Sequence, residues 1–228
     1  MTTKIDGKKF ELLTKWYLRL NGYFTVDNFI IHAADDSQRI SNGKVSNYTD
    51  IDVLGIRMPF HYEKTGELEI KNDMSLDCIE KIDIVIGECK TGEQNGLNKI
   101  WTKENFKAIE YLIRFCGVFK DNKSIEHVAS TLIKQLAYED DQYRLRTILF
   151  GQKEPNKEWL NKGLKFISAN QIIDFLVGER GECWVKTNIG SESFHDSWDS
   201  QIKSIFKIAN DQSKSKEKIT NEVFEILK

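Results

Sequence analysis

Only two prolines, Pro59 and Pro155, occur in the 228 residues, so the chain gives no sign of a rigid linker and reads as one generous domain. Its four cysteines, Cys78, Cys89, Cys116 and Cys183, lie far apart. They form no CxxC and no Cys/His cluster, which argues against a zinc site or a disulfide framework and favours reduced, mostly buried thiols. No stretch approaches the roughly 20 apolar residues that a membrane span requires, and Met1 to Lys9 contains no apolar signal region. The expectation is a soluble, cytoplasmic protein without a membrane partner. An excess of positive charge is missing too: 33 Lys and Arg stand against 35 Asp and Glu, a formal net charge of -2. Phosphate contacts come from clustered Lys and Arg, so any site for a polyanion is local. The composition, 40% hydrophobic and 30% charged, is that of an ordinary globular chain rather than a disordered one.

What is present is a sequence of well-patterned segments. Phe10, Leu12, Leu13, Trp16, Tyr17 and Leu20 recur at helical spacing over residues 8–21, and Asn21-Gly22 supplies a stop. Tyr23 to Ala34 suits a strand, and the polar run Asp35 to Asn47 reads as a loop. Tyr48 to Arg57 and Ile82 to Lys90 are β-branched, strongly apolar segments that nonetheless carry carboxylates, the pattern of central strands buried on both faces. Between them a polar hairpin is expected to turn at Thr65-Gly66 and stand at the edge. A helix is predicted from about Ile100 to Cys116, ended by Gly117, and another from Ile125 to Leu136. Short strands at Arg146 to Phe150 and Leu164 to Ser168 and a helix over Asn170 to Arg180 follow. Ser197 to Lys228 is amphipathic, interrupted by the low-complexity Asp211 to Lys218. The fold class implied is α/β, with a central mixed sheet flanked by helices.

The chemistry is concentrated in two of these segments. Strand alternation sends Glu88 and Lys90 to one face and the intervening Cys89 to the other. Burying a carboxylate and an ammonium at the end of an apolar strand costs several kcal/mol per ion unless each is paired or bound to metal. Asp52 sits similarly, in Ile51-Asp52-Val53-Leu54, and is placed to share a metal with Glu88. Hydrolysis of a phosphodiester calls for a hard cation on oxygen ligands, an activated water and positive charge near the phosphate. Asp52, Glu88 and the backbone carbonyl of Cys89 would bind Mg2+, with Mn2+ as a substitute, and Lys90 would contact the phosphate and help orient or deprotonate the water. Glu11, on the polar side of the first helix, could complete the site.

This order of residues resembles the PD-(D/E)xK nuclease superfamily: Glu11 on a leading helix, Asp52 in Thr49-Asp50-Ile51-Asp52-Val53-Leu54-Gly55, then Glu88-Cys89-Lys90 at the end of the next apolar strand. The resemblance spans roughly residues 8–151 and implies a restriction endonuclease-like αβββαβ core, with Asp52, Glu88 and Lys90 at the metal-binding and catalytic positions. Glu11 matches a frequent helix-borne acidic position. The activity implied is metal-dependent nuclease, most often on DNA and in a few members on RNA, with DNA endonuclease the favoured form. Antiviral defence, with a partner protein of such a system, is implied only at the level of the superfamily. No proline precedes Asp52, no helix-turn-helix or zinc module supplies target choice, and the glutamine and tyrosine of the RecB-like exonuclease branch do not follow Lys90.

A second ExK triplet, Glu69-Ile70-Lys71, serves as an internal control. It lies in a polar hairpin without a preceding apolar run and is expected on the solvated face. Asp50 is a reserve ligand, more readily read as an exposed or capping residue at the strand start, and His32 reads as a strand histidine rather than a ligand. Lys99, Lys103 and Lys107 recur at i, i+4 and i+8 after the site and form a candidate nucleic-acid-binding stripe, with solvated lysines the bland alternative. Trp101 nearby could stack on a base, although core packing is the commoner role. The expected division is a nuclease-like domain over 1–180 and a helical extension over 181–228, packed on the core or on a second subunit as a homodimer. The rivals are a catalytically silent nucleic-acid-binding or assembly subunit, and a structure-selective or RNA-directed nuclease.

Overall fold

The computed structural model describes residues 4–31, 40–41, 44–45, 49–65, 67–77, 80–92, 96–101, 106–187 and 199–228. Helix α1 (Gly7–Arg19) starts where the Asp6 side chain accepts the Lys9 N–H, and it buries Phe10, Leu13, Trp16 and Tyr17 on one side. It stops at Gly22, whose φ of 83° suits a residue without a Cβ. Strand β1 (Phe24–Ile31) follows, then the short pair β2 (Ile40–Ser41) and β3 (Lys44–Val45), then β4 (Thr49–Arg57). The expected polar hairpin is β5 (Lys64–Thr65) and β6 (Leu68–Glu69). It forms its own two-stranded sheet instead of an edge of the main one. Glu69 and Lys71 are exposed, as the control triplet should be.

Strand β7 (Ile82–Lys90) spans the segment predicted for it. Helices α2 (Phe106–Cys116) and α3 (Asn122–Gln135) come next, and then β8 (Ala137–Glu139) and β9 (Tyr143–Gly151). The chain continues through α4 (Lys157–Asn161), β10 (Lys165–Ser168), α5 (Ala169–Val177), α6 (Glu179–Thr187), α7 (Ser200–Ala209) and α8 (Lys216–Leu227). The predicted single helix over Asn170 to Arg180 is broken at Gly178, which caps α5. Strand β8 was hidden because three residues are too few to show a period. His32, Cys78, Lys103 and Trp198 lie outside the described residues, as does most of the polar run 35–47.

The main sheet has the order β1-β4-β7-β9-β10. Strands β1, β4 and β7 are antiparallel neighbours, whereas β7, β9 and β10 run parallel. Strand β8 shares the outer edge of β9 with β10, pairing with Arg144 to Arg146 while β10 pairs with Ile148 to Gly151. Parallel neighbours need crossover connections, and the α2–α3 pair supplies the one between β7 and β9. The result is an α/β protein with a mixed sheet between two helical layers. On one face α1, α5, α7 and α8 bury Phe10, Tyr17, Val85, Ile172, Ile205 and Val223 together. On the other, α2 and α3 cover Leu54, Ile84, Ile86, Ile109 and Leu132.

The C-terminal helices therefore complete the domain core. Ile202, Ile205 and Phe206 of α7 and Ile219, Val223 and Leu227 of α8 belong to the same apolar cluster as α1. The Asp6 N–H donates to the Leu227 carbonyl at 2.8 Å, and Lys9 Nζ to the Ile226 carbonyl at 3.0 Å. Most of the apolar stripe of these helices is buried within the chain, with Ile208, Phe224 and Ile226 partly buried. Of the two placements expected for the C-terminal helices, packing on the core is the one seen for α7 and α8. Ile205→Ala should cost about 2–5 kcal/mol and keep one cooperative transition in urea. A separate early transition would show that these helices form an independent unit.

At the start of β7 a charge is buried completely. Asp83 has no exposed surface, yet its carboxylate accepts from Arg144 Nε at 3.0 Å, from Arg146 at 2.8 Å and from the Tyr23 hydroxyl, with Arg57 at 3.4 Å. Burial alone would raise its pKa. The Arg144 hydrogen bonds, the Arg146 charge and the Tyr23 hydroxyl outweigh burial and hold it below the usual carboxylate range. Arg57 and Arg144 are further tied to the Asp77 carbonyl, at 2.6 and 3.0 Å. Asp83→Ala leaves these cations facing each other and should destabilise by about 3–5 kcal/mol. Because the folded pKa is depressed, this contribution is present above the ordinary carboxylate pKa and is lost as pH falls through the folded value. Urea midpoints for the two proteins should converge only in acid.

Candidate metal and catalytic site

The opposite end of β7 carries the predicted triplet, and the geometry around it follows from a local fault in β4. Ile51 and Leu54 face the α2 layer while Val53 faces the α1 layer, so side-chain alternation slips by one residue at Asp52. The partner strand is irregular at the same level. Pairing with β1 runs Asp27 to Val53 and then Phe29 to Ile51, skipping Asn28, which takes a φ of 51°. Pairing with β7 ends at Val53 opposite Gly87. The next residues in that register are Asp52 and Glu88. There the Asp52 side chain takes over from the backbone ladder, as its Oδ2 accepts the Cys89 N–H at 2.6 Å. The slip makes strand alternation no guide to where Asp50, the reserve ligand, stands relative to Asp52, and the Asp50 side chain is not described.

Gly87 makes this approach achievable. A Cβ there would stand 2.5 Å from Val53 Cγ1 and 3.1 Å from the Val53 carbonyl oxygen. Any side chain would push β4 away just before Asp52. The sequence reading passed over Gly87, and the only signal was a glycine inside an otherwise β-branched strand.

Glu88 is fully buried and Lys90 lies at the mouth, with 18% of its side chain exposed. Lys90 Nζ donates to Glu88 Oε2 at 3.2 Å. The other oxygen, Oε1, has no hydrogen-bond partner. Burial pushes the Glu88 carboxyl up to about 7; the Lys90 charge opposes that rise and the Asp52 charge adds to it. Cys89 points the other way, into the α1 layer, as alternation predicted. Burial, reinforced by the charges of Asp52, Glu11 and Glu88, keeps its thiol well above the ordinary value. Glu11 of α1 acts on this thiol by its charge, but it does not join Asp52 and Glu88 in a group of three carboxylates arranged to hold a metal ion. The N-terminus of α1 lies near the same strand end, with Thr91 Oγ1 lying 3.8 Å from where a Cβ on Gly7 would stand.

The structure thus gathers Asp52, Glu88 and Lys90 at one end of the sheet, with Glu11 near on the α1 side. Among the described residues no group of three or more His, Cys, Asp or Glu side chains is arranged to hold a metal ion. What stands there is a pair of carboxylates on adjacent strands, one with an orphaned buried oxygen. The basic stripe fares worse. The described part of α2 begins at Phe106, Lys99 belongs to a 3-10 turn (Lys99–Trp101), and Lys103 lies outside the described residues. Lys107 is exposed but pairs with Glu110 at 2.9 Å. Trp101 is not available for base stacking, since it is 3% exposed and buried in the α2 layer.

The chain matches no protein family model, no curated protein and no solved structure. Among the described residues no helix is long and apolar enough to cross a membrane.

The titration of Glu88 gives the site a measurable signature. A carboxyl whose folded pKa is raised favours the protonated form in the native state. Its contribution is fully present below the unfolded value near 4.5 and is lost as pH climbs to about 7. Without added metal, the wild type should lose on the order of 3 kcal/mol relative to Glu88→Gln across that window. Thermal melts of both proteins from pH 4 to pH 8 check this. Curves that stay parallel would show that folding leaves the Glu88 pKa unshifted.

Proposed function

We propose that this protein is a metal-dependent nuclease of the PD-(D/E)xK kind, acting on DNA in preference to RNA and cutting internally. The observation that carries the reading is the buried, unpartnered oxygen of Glu88 beside Asp52, with the Lys90 ammonium at the opening. A buried carboxylate oxygen without a donor is unfavourable unless a cation takes its charge. The element order also supports it: a leading helix, three antiparallel strands, helices, then a strand parallel to β7 is the order that the αβββαβ core requires.

Asp52 and Glu88 would hold Mg2+, and the Cys89 carbonyl is the further ligand that the resemblance supplies. When bound, such an ion lowers the pKa of its water and neutralises charge developing on the phosphate. The chain's own groups do the rest. The Cys89 N–H fixes the Asp52 carboxylate, and Lys90 would either meet the phosphate as a cation or, once it has lost its proton, accept one from the attacking water. Glu11 adds a carboxylate from the helix side, where it can assist ion binding.

One observation favours the rival, a silent subunit with this fold: at 3.2 Å, Lys90 and Glu88 already form an ion pair. The same experiment separates the two. Wild type and Lys90→Ala are incubated with plasmid, linear duplex, branched and single-stranded DNA and with RNA, in Mg2+, Mn2+ or EDTA. Metal-dependent cutting should appear in the wild type and drop about 10²–10⁴-fold in the variant. If neither protein cuts any substrate while both bind nucleic acid equally, the nuclease reading falls and the subunit reading stands.

A further inference from the structure

Strand β1 forms one end of the main sheet: its inner edge pairs with β4, and among the described residues no strand pairs with its outer edge. Long edge strands are ordinarily blunted by lysine, proline or a bulge, because their unpaired N–H and C=O groups recruit other strands. β1 (Phe24–Ile31) contains no lysine and no proline, and its irregularity at Asn28 leaves Phe24 to Asp27 regular. The side chains of this stretch are sorted by face. Phe24 and Val26 stand opposite Ile56 and Leu54, so they lie on the α2 side of the sheet. Phe29, on the same side, is covered by Phe115 of α2 with ring centres 4.0 Å apart, whereas Phe24 and Val26 are 72% and 44% exposed. Thr25 and Asp27 take the α1 side, where Arg19 Nε donates to Thr25 Oγ1 at 2.7 Å and Lys15 Nζ to Asp27 Oδ2 at 3.1 Å.

We propose that a second copy of the chain docks on this edge, the two β1 strands pairing antiparallel about a two-fold axis through Val26, so that Arg19 of each protomer meets Asp27 of the other. The charges select the register. Residues opposite each other in an antiparallel pair point to the same side of the sheet, so a two-fold axis normal to the sheet passes through a residue that faces its own copy. An axis through Phe24 would run the pairing off the start of the strand. One through Thr25 would bring the two Arg19 guanidinium groups together, and one through Asp27 would oppose the two carboxylates beside the skipped Asn28. The axis through Val26 instead sets Thr25, with its Arg19, against Asp27 of the partner subunit, and does so twice. On the other face the same register places the two Val26 side chains opposite each other, with Phe24 on the diagonal. Apolar surface that the fold leaves in water is thereby covered, and each Asp27, held by Lys15 of its own chain, gains a second cation. A pairing this short covers less area than a permanent interface, so association in the micromolar range is expected. None of these groups belongs to the site at Asp52 and Glu88, so the pairing stands or falls apart from the nuclease reading.

Sedimentation velocity of the full chain, from about 1 to about 100 µM, tests this. The wild type should pass from monomer to dimer within that range. Arg19→Glu and Asp27→Lys, each of which sets like charges together across the axis, should weaken association at least about tenfold. Mixing the two variants should restore it, because both contacts of the mixed dimer then join opposite charges. A wild type that stays monomeric at the highest concentration overturns the pairing. So does a dimer that neither substitution weakens, since association then runs through another surface. A mixture no more associated than its components overturns it as well, since the charges then act within one chain. Both substituted residues are exposed, so the variants should fold, and their urea transitions check that they do. Slower hydrogen exchange at the β1 amides as wild-type concentration rises, with the β9 amides unchanged, locates the contact without any variant.

Discussion

Strand β7 is covered on both faces, and it carries a fully buried carboxylate near each end. Everything distinctive about this protein follows from how differently those two charges are treated. Asp83 is wrapped by Arg144, Arg146, Arg57 and the Tyr23 hydroxyl, and its pKa is held down despite burial. Glu88 lies roughly 17 Å away, at about 3.3 Å per residue. It has one ammonium on one oxygen and nothing on the other, and its pKa is raised. Burial is the same at both ends, so the difference lies in the partners. A charge that is completely neutralised inside the fold has no capacity left for a ligand. One that is half-neutralised at a strand end next to solvent does.

The approach of Asp52 to Glu88 in turn depends on a break in regularity. Had β4 kept its alternation and its ladder through residue 52, Asp52 would have pointed with Leu54 into the α2 layer. The slip at Asp52, matched by the left-handed Asn28 on β1, turns its carboxylate to the Cys89 N–H instead. Gly87 permits the two strands to stay close right up to that point. Two residues that carry no reactive group, Asn28 and Gly87, thereby help decide where two carboxylates meet.

These dependences explain what the sequence could and could not convey. The period of α1, the apolar run of β7 and the carboxylates set in apolar strands are local patterns, and each one reappears in the structure at close to its expected place. The αβ class followed from their order. The irregularity at Asn28 and Asp52 is a property of paired strands, since nothing in either segment alone marks the skipped pair. The arginine cluster on Asp83 joins residues from β4, β7 and β9, and neighbouring Arg144 and Arg146 read locally as ordinary charges in a strand. Trp101 was weighed against a base because it sits beside lysines in the chain. Its true neighbours, Ile51, Leu54 and Ile86, come from strands more than ten residues away.

The C-terminal helices connect the two ends of this reasoning. Tyr17 of α1 packs on Phe150 of β9 and Phe175 of α5, and α7 and α8 add to that hold through the apolar cluster they share with Leu13. The Leu227 and Ile226 carbonyls clasp the start of α1, through the Asp6 N–H and the Lys9 ammonium. The start of α1 is the end that lies near Thr91, just past Lys90, and Glu11 stands one turn further along. A carboxylate on a helix is useful to a site on a strand only if the helix is held in register with it, and the last residues of the chain contribute to that hold. The α/β core and its helical tail are in this sense one unit: the tail helps fix the helix that carries Glu11, and the strands carry Asp52, Glu88 and Lys90.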